Sequence, residues 1–119
     1  MRAVLLGTGS PPPNPKRRGP ATLLSLGDAR CLADAGSGVR AQLVQAGVRP
    51  MEWPAVFITH HHSDHTIDLG HLLISRWIAG QNTPFEIWGP TGSVPAELEA
   101  TARRDFAGAI VVGEDLAEV

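Results

Sequence analysis

The tightest constraint on this chain lies at residues 55–65, which read AVFITHHHSDH. Ala55 to Thr59 is apolar and partly β-branched, the pattern of a buried strand, and the polar cluster begins where it ends. Such a strand is expected at the centre of a sheet, covered on both faces. Four of the chain's five histidines and an aspartate then follow, at a strand end, where functional side chains of α/β sheets gather. In extended chain, residues i and i+2 point the same way, so His60 and His62 are placed to reach one ion together. Asp64 and His65 are neighbours that diverge, which suits a second ion, and His61 points away. Neutral imidazole and carboxylate are ligand types for zinc, and also for manganese or iron. The run is internal and broken by Ser63 and Asp64, unlike an expression tag.

The segments around the cluster alternate. Arg2–Leu6 reads as a short strand stopped by Gly7, and residues 7–20 form a Gly/Pro-rich loop. Thr22–Leu26 and Arg30–Ala33 are apolar runs joined by Gly27-Asp28, a hairpin signal. Residues 34–38, DAGSG, form a tight turn. Val39–Ala46 reads as a helix with Val39, Leu43 and Val44 on one face, ended by Gly47 and Pro50. A second helix is expected from about Asp68, its N-cap, to Ala79, with Leu69, Leu72, Leu73 and Trp77 as its apolar stripe. Phe85–Trp88 is a further strand. Ser93 can cap a third helix that carries Val94, Leu98, Ala102 and Phe106, and Ala109–Val112 is a last strand. This order predicts an α/β fold: a mixed sheet with helices packed on it.

Composition narrows the function classes. Hydrophobic residues make up 43% and charged residues 18%, which argues for a packed globule over disorder. The net charge of −2 supplies no field that would favour nucleic acid. The basic run Lys16-Arg17-Arg18 reads first as a solvated loop and second as a phosphate clamp. The single cysteine, Cys31, excludes an intrachain disulfide and reads as a small core residue, not a nucleophile. No window of about 18 apolar residues exists, so no membrane partner is expected, and the default localisation is cytoplasmic.

Thr59-His60-x-His62-x-Asp64-His65 resembles the signature of the metallo-β-lactamase fold superfamily of binuclear metallohydrolases. LLGTGSPPP near the start, LADAGSG before a helix and IWGPTG after the cluster resemble its ribonuclease Z and arylsulfatase-like branch, over about Arg2 to Gly92. The resemblance implies the N-terminal half of an αββα sandwich. It also implies two divalent metal ions, zinc first, with His60 and His62 on one and Asp64 and His65 on the other. Asp64 would in addition orient or deprotonate the bridging water, as the catalytic carboxylate. Asp34 matches the aspartate of the family's D-x-G turn, and the implied role is to fix the ligand loop through hydrogen bonds.

The implied activity is hydrolysis of a phosphodiester, as in ribonuclease Z, or of a sulfate ester, by attack of a metal-bound hydroxide. The alternatives are an inactive half-domain that binds metal weakly or pairs with another chain, and lactone or thioester hydrolysis on the same scaffold. The family's remaining ligands, two histidines and a bridging aspartate, come from later segments. Here no histidine follows His71, and Asp105, Glu114 and Asp115 carry no context that marks a bridge. Residues 1–119 are therefore expected to form a single, incomplete domain, with its missing ligands supplied by a second copy or a second chain. An exposed apolar sheet face should accompany that arrangement.

Overall fold

The computed structural model describes residues 1–90. The third helix, the last strand and the late carboxylates expected above lie outside them. Five strands form one sheet in the order β1 (Arg2–Gly7), β2 (Ala21–Leu26), β3 (Ala29–Ala33), β4 (Ala55–Phe57) and β5 (Ile87–Trp88). The pairs β1–β2 and β2–β3 are antiparallel, whereas β3–β4 and β4–β5 are parallel. Helix α1 (Val39–Gln45) fills the first parallel crossover, and α2 (Ser63–Thr66) and α3 (Leu69–Ile78) fill the second. The sheet is mixed, as expected. Gly27 makes the β2–β3 turn with φ of 59°, a conformation only glycine takes readily.

One row of side chains explains the core. Val4, Leu23, Leu32, Val56 and Ile87 stand opposite one another across all five strands. All but the half-buried Val4 are buried, beneath Val39 and Leu43 of α1 and Leu69 and Leu72 of α3. Burial of a side chain such as Leu72 contributes roughly 1.5–3 kcal/mol. No helix among the described residues is long and apolar enough to cross a membrane.

Four local expectations need correction. β4 stops at Phe57, two residues short of Thr59, and only one of its faces is covered among the described residues: Val56 is buried while Phe57 is 42% exposed. The helices pack on a single side of the sheet, so the pattern of a doubly covered strand overstated its burial. On α1, Val44 is exposed, because Val39 and Leu43 alone complete the i, i+4 contact with the sheet. On α3, Trp77 is 52% exposed and Arg76 takes the inward position. Arg76 donates to the Pro84 carbonyl and to Thr83 Oγ1 and stacks over the Phe85 ring, while burial lowers its pKa. Finally, Asp68 occupies the N-cap position of α3 but does not cap it with its side chain. Its Oδ2 accepts instead from the Gly38 amide, 2.8 Å away at the start of α1.

Candidate metal centre

Asp34 ends β3 in the left-handed region, with φ of 65°, which aspartate tolerates better than most residues. Its amide donates to the Phe57 carbonyl, tying it to the end of β4. This twist turns the carboxylate into the space between strands and helices, where Asp34 is 7% exposed. There Oδ1 accepts from the Thr59 amide at 2.9 Å, and Thr59 Oγ1 lies 3.0 Å from both carboxylate oxygens. Oδ2 also stands 2.8 Å from His65 Nδ1. A carboxylate only accepts, so the His65 proton sits on Nδ1 and the lone pair on Nε2 faces outward. A carboxylate behind a ligating imidazole fixes both its tautomer and its orientation.

The turn after Asp34 is held as closely. The Ala35 amide donates to the His65 carbonyl and the Asp68 amide to the Ala35 carbonyl. Gly36 is required here. A Cβ on it would stand 2.5 Å from Gly19 carbon and Pro20 nitrogen and 2.7 Å from the Asp64 carbonyl oxygen. The loop that carries Lys16, Arg17 and Arg18 thus packs directly on the turn behind the cluster. Its backbone is bonded there through Gly19 to Ser37 and Gly36 to Pro20.

The histidine cluster itself is not a strand extension. His60 and His61 lie in irregular chain, His62 is extended, and Ser63–Thr66 form a single helical turn that carries Asp64 and His65. That turn brings the last two side chains together, against the divergence expected of neighbours in extended chain: His65 Nε2 lies 3.6 Å from Asp64 Oδ2. His60 Nε2 lies 3.1 Å from His62 Nδ1. The His60 ring is also 4.0 Å from that of His65, centroid to centroid, so the two pairs adjoin. Zinc–ligand bonds of about 2.0–2.2 Å in a tetrahedral shell put two donors of one ion roughly 3.3 Å apart. The separations within both pairs lie close to that edge, and the donors, neutral imidazole nitrogen and carboxylate oxygen, are those a divalent ion takes. The residues fit such an ion. Among the described residues no group of three or more His, Cys, Asp or Glu side chains is arranged to hold one ion, so these donors stand as pairs.

His61, like His62, is exposed. His71 points to Asp68, its Nδ1 3.3 Å from Oδ1 there, and its side chain is 60% exposed. Two contributors carried no role at the site in the sequence reading, Asp68 having been read only as a helix N-cap. Thr59 bridges Asp34 and His60, its hydroxyl 2.9 Å from His60 Nδ1. Asp68 joins α1 to the start of α3. Thr59 had a signal, since it stands inside the motif. Asp68 had none, because its partner is 30 residues away.

A family described as Anti-Pycsar protein Apyc1 matches residues 1–92. The chain belongs to that family. The fold is that of metallo-β-lactamase fold proteins, and ribonucleases Z are among the relatives the chain is similar to. Ribonuclease Z of Mycobacterium sp. (strain KMS) is 43% identical over 108 residues, which is 87% of this chain and 38% of that protein. Ribonuclease Z of Mycobacterium marinum is 43% identical over 109 residues, covering 87% and 39%. Among solved structures, human tRNase Z, short form, superposes with a TM-score of 0.79 at 32% identity, over 96% of this chain and 44% of that one. The metallo-β-lactamase fold protein YhfI of Bacillus subtilis gives 0.71 at 23% identity, over 92% and 44%, a likeness of fold. The chain therefore spans under half the length of these relatives.

Proposed function

We propose that this chain is a single, incomplete metallo-β-lactamase-type domain that carries one side of a metal-dependent hydrolase site for phosphodiesters. His60 and His62 would hold one divalent ion and Asp64 and His65 the second, zinc being favoured. The observation that carries this reading is the pairing of donors, 3.1 Å and 3.6 Å apart, behind which Asp34 fixes His65. Two ions held side by side would lower the pKa of a bound water and offset charge that develops on the attacked group. His60 and His62 present ring nitrogens, His65 is oriented by Asp34 through Nδ1, and Asp64 takes the proton of the attacking water on a carboxylate oxygen. Phosphodiester cleavage is favoured over sulfate-ester, lactone or thioester cleavage by the names of the ribonuclease Z and tRNase Z relatives. The basic run Lys16–Arg18 is exposed, in the loop that packs on the turn behind the cluster, and positive charge there suits an anionic chain.

The donors on the described residues number two per ion against the three or four protein ligands usual for zinc, so ligands from outside these residues would complete the site. The two donors per ion among the described residues favour a second reading, a half-domain that binds metal without turnover. An activated phosphodiester assayed with zinc separates the two. Turnover by the wild-type chain, lost by more than about 100-fold in His62→Ala, supports the hydrolase. Zinc binding without turnover selects the half-domain.

A further inference from the structure

We infer that Thr59 is a positioning residue that extends the hold of Asp34 from His65 to His60, so that one carboxylate sets the tautomer of a ligand in each donor pair; this rests on the metal-binding reading above. The argument is one of proton count. The Thr59 hydroxyl has a single proton and lies 3.0 Å from both oxygens of Asp34 and 2.9 Å from His60 Nδ1. A carboxylate cannot donate, so the hydroxyl proton goes to Asp34. The hydroxyl oxygen then accepts, and the donor is His60 Nδ1–H. His60 is thereby held with its proton on Nδ1 and its lone pair on Nε2, the atom that faces His62 Nδ1 at 3.1 Å. Asp34 does the same to His65 directly, through Nδ1 at 2.8 Å. Both imidazoles thus present Nε2 as the ligand atom, and neither needs to change tautomer when an ion arrives. The Thr59 amide adds a separate bond to Asp34 Oδ1, so the backbone of the ligand loop stays tied when the hydroxyl is removed. In the metal-free chain His62 Nδ1–H donates to His60 Nε2, and for His62 to ligate an ion through Nδ1 that proton would move to its own Nε2.

The test uses nitrogen NMR of histidine-labelled full chain, free of metal, well above the ordinary imidazole titration range. The wild type is expected to show His60 with a protonated Nδ1 and an unprotonated Nε2. Thr59→Val keeps the shape and loses the hydroxyl, and should return His60 to a mixture dominated by the Nε2–H form. Thr59→Ser should restore the wild-type pattern. Zinc competition against a chromophoric chelator should show an affinity lowered roughly 10–100-fold in Thr59→Val and close to wild type in Thr59→Ser. A wild-type His60 protonated on Nε2, or a Thr59→Val variant with unchanged tautomer and affinity, overturns the inference. A wild-type chain that binds no zinc overturns the proposed metal site instead, and the spectrum still decides what Thr59 does. Thr59→Ser and the wild-type spectrum give the answer even where Thr59→Val does not fold.

Discussion

Replacing Asp34 with alanine removes the acceptor of three donors at once: the Thr59 amide, the Thr59 hydroxyl and His65 Nδ1–H. The imidazole of His65 is then free to rotate and to change tautomer. The expected outcome for Asp34→Ala is a loss of zinc affinity of roughly 10–100-fold, read by chelator competition, with Asp34→Asn intermediate because its amide oxygen still accepts. Unchanged affinity in Asp34→Ala would show that the carboxylate serves the turn alone. At this scale much was legible in the sequence. The T-H-x-H-x-D-H spacing singled out the four side chains that the structure brings together in pairs, and the D-x-G turn singled out Asp34. The sequence did not show that His65 rests on Asp34 across 31 positions, or that Thr59 joins the same acceptor. Such contacts depend on how β3 and β4 lie side by side, which no local pattern reports.

Helix α3 shows how an element can follow its periodicity and still expose a residue the pattern would bury. Leu69 and Leu72 face the sheet as the stripe predicts, but the third inward place goes to Arg76 and not to Trp77. Its long stem packs like an apolar side chain while the guanidinium reaches Thr83 and Pro84 and covers Phe85. Arg76→Ala should lower stability by about 2 kcal/mol, seen as a lower midpoint in thermal unfolding, through lost packing and unmet acceptors. Arg76→Met should recover part of that loss, because it keeps the stem and avoids burying a cation. Equal stability of all three chains would contradict this account of α3. The short helix α2 was not foreseen, since one turn carrying two prospective ligands has no periodicity to read. Strand β4 was foreseen too long for a related reason: buried Ile58 continues its apolar run and its amide still donates to the Trp88 carbonyl, but the strand itself stops at Phe57.

Among the described residues, the sheet has one face dressed with helices and one without. Opposite the core row, Leu5, Thr22, Ala33, Phe57 and Trp88 form a second row across the sheet, in which Leu5 is 68% and Phe57 42% exposed. Phe57 and Trp88 stack on it, with centroids 6.3 Å apart. Apolar surface of this kind marks an interaction face. Light scattering of the wild-type chain should therefore report species larger than a monomer, and Phe57→Asp should shift them towards monomer. A wild-type chain that stays monomeric as concentration rises would contradict the reading of this face. The mixed sheet was legible from the order of strands and helices. Its one-sided covering was not, because a buried strand reads the same whichever layer covers it.

The measurement that bears most directly on the account is metal content per chain, by elemental analysis of protein purified without chelator. The account predicts close to two divalent ions per chain, falling by about one in His62→Ala. A metal content near zero in the wild-type chain would contradict it, and would leave the paired donors of residues 60–65 without a function as a metal centre.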